Sequence, residues 1–174
     1  TTIVSNNTIE NLKTFSTSAS VQTLASLVGI GVSSFSNSQT ISGNTIRNLI
    51  DSNTSVYSGI AHGIFASGGL NTITNNTIDG IYTRSSGAST TTSAAMQGLT
   101  VSSNTTGQVI TGNTIRNLSI MPIVPASTQT YGLYVSSAAG VTVNDNIISN
   151  LNSNSSSTNT LINSSLIGLA YGAS

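Results

Sequence analysis

The chain has 174 residues, of which 37% are apolar and only 5% charged, with four Lys+Arg against four Asp+Glu. A net charge of zero excludes electrostatic capture of nucleic acid or of an acidic membrane surface, and no apolar run is long enough for membrane insertion as a helix. The absence of cysteine excludes disulfides and thiolate metal sites.

In chain order, the first patterned segment is Val4-Ser5-Asn6-Asn7-Thr8-Ile9-Glu10-Asn11-Leu12, in which apolar and small polar residues alternate as in short strands. A Ser/Thr-rich connection follows, then Gly29-Ile30-Gly31-Val32-Ser33. The two motifs then recur in constant phase. ISGNTIRNL at 41–49 precedes Gly63-Ile64-Phe65-Ala66-Ser67, and ITNNTIDGI at 73–81 precedes Gly98-Leu99-Thr100-Val101-Ser102. ITGNTIRNL at 110–118 precedes Gly132-Leu133-Tyr134-Val135-Ser136, and VNDNIISNL at 143–151 precedes Gly168-Leu169-Ala170-Tyr171. The central asparagines are spaced by 37, 32, 37 and 33 residues and the glycines by 34, 35, 34 and 36. Connections from the first motif to the second alternate between 17 and 14 residues, which implies duplication of a two-coil unit. Their Ser/Thr-rich parts, such as Ser85 to Ser93 and Asn152 to Asn159, read as loops on one side.

Low hydrophobicity with high net charge marks disordered chains, and this chain has neither. Helix is excluded as the main element, because β-branched residues, Asn, Gly and Ser dominate and no stripe recurs at 3.6-residue spacing. Each copy is too short to bury its own apolar face, so copies must stack. The sequence predicts an all-β, right-handed parallel β-helix of about five coils of roughly 35 residues, forming one segment over 1–174 without obvious caps. Stacking in register generates columns. Val4, Ile41, Ile73, Ile110 and Val143 form one aliphatic column, and Ile9, Ile46, Ile78, Ile115 and Ile148 a second. Leu12, Leu49, Ile81, Leu118 and Leu151 form a third, and Ile30, Ile64, Leu99, Leu133 and Leu169 a fourth. Asn6, Gly43, Asn75, Gly112 and Asp145 form a turn column of types that tolerate the left-handed conformation. Asn7, Asn44, Asn76, Asn113 and Asn146 are placed to stack amide on amide.

The GNTIRNL and GLYVSS-type motifs resemble the parallel β-helix repeats of the pectate-lyase-like superfold. Their alternation with Ser/Thr-rich loops is similar to the repeat regions of large secreted bacterial surface proteins. The resemblance implies architecture over essentially the whole chain. It implies little about activity, because the superfold hosts lyases, hydrolases, adhesins and fibres alike.

The carboxylates are Glu10, Asp51, Asp79 and Asp145. Asp145 falls in the turn column. Glu10 and Asp79 share a column with Arg47, Arg116 and Ser149, so charge alternates along the axis. Two strand spacings put Glu10 and Asp79 about 9–10 Å apart, a separation that suits an inverting glycosidase. The arginine between them favours an exposed salt-bridge ladder instead, and no catalytic residue is assigned. His62 stands alone and reads as a surface or loop histidine, not as a metal ligand; no metal or cofactor site is assigned. Phe65 and Tyr134 share an outward position in alternate coils. With Tyr131, and with Tyr57 and Tyr82 in or beside the connections, they are candidates for stacking on surface glycans. Ser5, Ser42, Thr74 and Thr111 run parallel to Thr8, Thr45, Thr77 and Thr114, the kind of hydroxyl array an ice-binding solenoid presents; the turn residues between them interrupt it.

The composition, rich in hydroxyls and amides and nearly free of lysine, points to an extracellular or cell-surface protein. The expected function is a structural or adhesive β-solenoid, with a carbohydrate-binding or polysaccharide-cleaving β-helix as the alternative. Neither terminus departs from the repeat. Joining the last residues to Thr1-Thr2-Ile3 preserves the glycine spacing at 35. The last coil is therefore expected to be completed by the N-terminus of a further copy, stacked end to end into a filament, or by residues of a longer array.

Overall fold

The computed structural model describes residues 1–16, 25–34, 37–52, 59–85, 94–122, 128–137, 140–155 and 166–173. The described residues form β-strands and no helix, wound as a parallel β-solenoid. The first rung comprises β1 (Thr2–Ser5), β2 (Thr8–Glu10), β3 (Lys13–Thr14) and β4 (Leu27–Ser33). The second has β5 (Ser38–Ser42), β6 (Thr45–Asp51) and β7 (Ala61–Ser67), and the third β8 (Leu70–Thr74), β9 (Thr77–Thr83) and β10 (Met96–Ser103). The fourth has β11 (Val109–Thr111), β12 (Thr114–Ile120) and β13 (Thr130–Ser137), and the fifth β14 (Thr142–Asn144), β15 (Ile147–Ser153) and β16 (Leu166–Ala173).

Corresponding strands pair in parallel to give three sheets. The first runs β1-β5-β8-β11-β14, the second β2-β6-β9-β12-β15 with β3 also on β6, and the third β4-β7-β10-β13-β16. Five rungs make about four turns of about 34 residues, slightly fewer than the expected five coils. The register follows the predicted columns: Val4 pairs with Ile41, Ile41 with Ile73, Ile73 with Ile110, and Ile110 with Val143. Ile9, Ile46, Ile78, Ile115 and Ile148 are likewise in step. The middle members of these columns have no solvent-exposed surface and share one core with Leu49, Ile81, Leu118, Ile64, Leu99 and Leu133.

Strict alternation does not explain this core, because both Ile46 and Leu49 face inward although three residues apart. A left-handed residue resolves the phase. Asn11, Asn48, Asn117 and Asn150 have φ between 49° and 59°, and Gly80, which takes their place in the third rung, has 77°. This second left-handed column was not predicted. Its signal is the glycine that replaces asparagine in NTIDGI. The predicted turn column also lies in the left-handed region, with Asn6, Gly43, Asn75, Gly112 and Asp145 between 55° and 67°. Two left-handed positions per coil thus turn the chain from the first sheet into the second and bend the second sheet itself.

The third sheet bends at glycine for a different reason. A Cβ on Gly63 would sit 2.5 Å from the carbonyl oxygen of Gly98 and 2.6 Å from Cγ2 of Ile78. Gly29, Gly98 and Gly132 meet Ile46, Ile115 and Ile148 in the same way. The glycine column is therefore where the third sheet closes onto the isoleucine column of the second. The core is too narrow there for any side chain.

Candidate functional site: side-chain ladders along the stack

The asparagines next to the turn column form a continuous hydrogen-bonded ladder. Oδ1 of Asn44 accepts from both the main-chain N–H and the Nδ2 of Asn7, each at 2.9 Å. Asn76 accepts in the same way from Asn44 at 2.9 Å, Asn113 from Asn76 at 3.0 Å, and Asn146 from Asn113 at 2.9–3.0 Å. From Asn44 onward each Nδ2 also donates to the main chain of the preceding rung: Asn44 to Val4, Asn76 to Ile41, Asn113 to Ile73 and Asn146 to Ile110. Asn44, Asn76 and Asn113 are completely buried or nearly so, and every polar atom of their amides has a partner. A satisfied buried network of this kind fixes register, because a slipped coil would take these amides out of step and leave buried donors and acceptors unpaired.

A second amide group was not read from the sequence. Nδ2 and the main-chain N–H of Asn71 both donate to Oε1 of Gln108, at 2.8 and 2.9 Å. Gln39, in step with Asn71, donates to the carbonyls of Ser67 and Gly68. These buried amides tie the turn after the third sheet to the first sheet. Only the alignment of Gln39, Asn71 and Gln108 where the strands of the first sheet begin could have announced it.

The charged column resolves into two separate pairs. Arg47 meets Glu10 at 2.5 Å and Arg116 meets Asp79 at 2.8 Å. Arg47 and Asp79 are register neighbours but form no ion pair within 4 Å, so the expected continuous ladder is interrupted at that step. Nδ2 of Asn117 also donates to Asp79, at 2.5 Å. That hydrogen bond first, and then the hydrogen bond and charge of Arg116 with the charge of Arg47, hold the Asp79 carboxyl below the usual range, against burial, which raises it. Asp51, at the end of β6, is buried.

The aromatic candidates are not offered to solvent. Phe65 is 1% exposed, Tyr131 0% and Tyr134 7%. Phe65 and Tyr134 do lie on the outer face of the third sheet, but that face is covered. Tyr131 and Tyr134 pack ring to ring at 5.3 Å, and Ala94 and Ala170 close over them. Burial and the neighbouring Tyr134 push the Tyr131 phenol up to about 12. Glycan stacking by these three rings would require the cover to be removed. Tyr57 lies outside the described residues, as do most of the predicted loops; Asn152 and Ser153, predicted as loop, extend β15.

His62 also corrects the expectation of a surface residue. It is 1% exposed, its ring lies 5.1 Å from that of Phe65, and among the described residues neither Nδ1 nor Nε2 has a hydrogen-bond partner. Burial lowers its pKa to about 3, so it is neutral in the folded protein at pH 7. The two hydroxyl columns compared with ice-binding arrays lie on different sheets, Ser42 and Thr74 on the first and Thr45 and Thr77 on the second, with the left-handed turn between them.

No family model, curated protein or solved structure matches the chain.

At the two ends of the stack, apolar residues of the terminal rungs are open. Ile3, Leu12 and Phe15 are exposed at one end, and Ile147, Leu166, Leu169 and Tyr171 at the other. Beyond the last rung a cavity of about 830 Å³ is lined by Val135, Val141, Val143, Leu169 and Tyr171. Among the described residues, no three His, Asp or Glu side chains come together to hold a metal ion.

Proposed function

We propose that the chain is a structural, adhesin-like element of an extracellular fibre, a β-solenoid whose purpose is to extend and hold a surface. One observation carries this reading: the amide ladder runs unbroken from Asn7 through Asn146, and the paired charges beside it also join neighbouring rungs. Glu10, Arg47, Asp79 and Arg116 are engaged along the axis in joining neighbouring coils. Composition supports the placement outside the cell, since a surface of hydroxyls and amides with balanced, sparse charge suits a fibre that must not bind indiscriminately. The likeness of its motifs to repeat regions of secreted surface proteins supports the same reading, with further copies of the chain as partners.

Protease shaving and antibody labelling of intact producing cells test the assignment. Release of the chain by protease from unbroken cells is the expected result. Recovery only from the cytoplasm after lysis would overturn it. Incubating the chain with polysaccharides tests the catalytic alternative, and release of reducing ends would replace a structural role with an enzymatic one.

A further inference from the structure

The outer face of the first sheet differs from those of the other two. Ile41, Ile73 and Ile110 have no exposed surface, so the residues on either side of each point outward. These are Thr40 and Ser42 on β5, Thr72 and Thr74 on β8, and Val109 and Thr111 on β11. They pair residue for residue: Thr40 stands beside Thr72 and Ser42 beside Thr74, and the next strand sets Val109 and Thr111 against that pair. Thr142 extends the first of these columns on β14. The column of Ser42, Thr74 and Thr111 therefore has a hydroxyl companion on its own sheet, interrupted at Val109, which the motif comparison did not single out. Among the described residues, no other group of the protein engages these hydroxyls. The five strands of this sheet contain no charged residue. By contrast, the second sheet carries both ion pairs and the aromatic face of the third is covered.

We propose that this face binds ice. Strands lie about 4.8 Å apart and alternate residues of one strand about 6.6 Å apart, so the hydroxyls stand on a two-dimensional grid of those dimensions. Oxygen atoms on a prism face of ice repeat on a grid of similar size. Each hydroxyl can both donate and accept, as a lattice water does. Threonine is β-branched and held to few χ1 rotamers, and the buried isoleucines fix the strands beneath it, so little freedom is lost on binding. The methyl groups of Thr40, Thr72, Thr74, Thr111 and Val109 fill the space between the hydroxyls. A charged column such as that of the second sheet would hold a hydration shell of its own and disrupt the lattice. Insoluble polysaccharide is the other regular surface a flat array could meet, but the strands of this sheet offer no aromatic ring to stack on a sugar. The inference goes beyond the structural reading, and the two fail separately. Exposure on intact cells decides that reading, and partition of the purified chain into ice decides this one.

The experiment is slow growth of ice in a dilute solution of the purified 174-residue chain. Protein is measured in the ice and in the remaining liquid, and the crystals are viewed by microscopy. The wild-type chain is expected to be enriched in the ice several-fold over a non-binding protein of similar mass, and to facet the crystals. Thr72→Lys puts a charge and a longer side chain at the centre of the array without entering the core. It is expected to keep the wild-type circular dichroism and to be rejected into the liquid. Thr77→Lys, outside the array on the second sheet, is expected to be enriched like wild type. Should Thr72→Lys fold poorly, Thr111→Lys on the next strand serves the same purpose. Rejection of the wild-type chain from ice, enrichment of a folded Thr72→Lys equal to wild type, or an equal loss in Thr77→Lys would each overturn the inference. Retention on insoluble cellulose in place of ice, lost in Thr72→Lys, would also overturn it and assign the face to polysaccharide.

Discussion

Asn76 makes the case for the ladder at the scale of one residue. Its Oδ1 accepts two hydrogen bonds from Asn44, while its own N–H and Nδ2 donate to Asn113, Ile41 and Thr74. Truncation strands the buried main-chain N–H of Asn44 and removes one of the two hydrogen bonds to Oδ1 of Asn113, and an unsatisfied buried group alone costs about 1–3 kcal/mol. Asn76→Ala is therefore expected to lower unfolding free energy in urea by on the order of 3 kcal/mol, whereas Asn7→Ala, at the exposed start of the ladder, loses much less. His62 gives a pH signature. Its folded pKa of about 3 lies below the ordinary value of 6.5, so the unfolded chain binds the extra proton. Stability contributed by the neutral ring is fully present above pH 6.5 and is lost as the pH falls toward 3, by about 1.4 kcal/mol per pH unit in that window. Denaturation between pH 7 and pH 4 should show this loss, and His62→Gln should remove it. An equal loss in the variant would show that His62 is not the group responsible.

At the scale of the element, the glycines of the third sheet and the left-handed asparagines of the second solve one problem by different means. Each lets two residues on one strand face the core although alternation forbids it. Gly98→Ala would place a Cβ 2.5 Å from Cγ2 of Ile115 and 2.6 Å from the Gly132 carbonyl, backbone that cannot move without shifting the next rung. Overpacking of this kind costs about 1–3 kcal/mol or more, and thermal melting should show a clear drop. Gly168→Ala, with open space at the same position of the last rung, should melt like wild type. Equal effects of the two substitutions would contradict the close-approach explanation. The motif spacing made these columns legible, because residues that repeat with the coil must stack. It did not reveal why the glycine is needed, since that depends on contact between two sheets distant in sequence. Nor did it reveal the burial of Phe65, Tyr131 and Tyr134. Ala94, which helps cover the tyrosines, belongs to a connection and not to either motif.

At the scale of the molecule, the fold follows from a period of about 34 residues repeated with little variation, and the site follows from what that period lines up. The Asn column was legible because identical amides in register have each other as natural partners. The charged column was only partly legible. Register brings Arg47 beside both Glu10 and Asp79, and side-chain geometry selects Glu10. The central claim is that the coils are held in step by one continuous, directional amide ladder. Native-state hydrogen exchange on dilute, monomeric protein tests it most directly. The main-chain N–H groups of Asn44, Asn76 and Asn113, each bonded to the next asparagine, should exchange only with global unfolding, while that of Asn146 should exchange rapidly. Rapid exchange at Asn44, Asn76 and Asn113, or protection at Asn146 equal to theirs, would contradict the account.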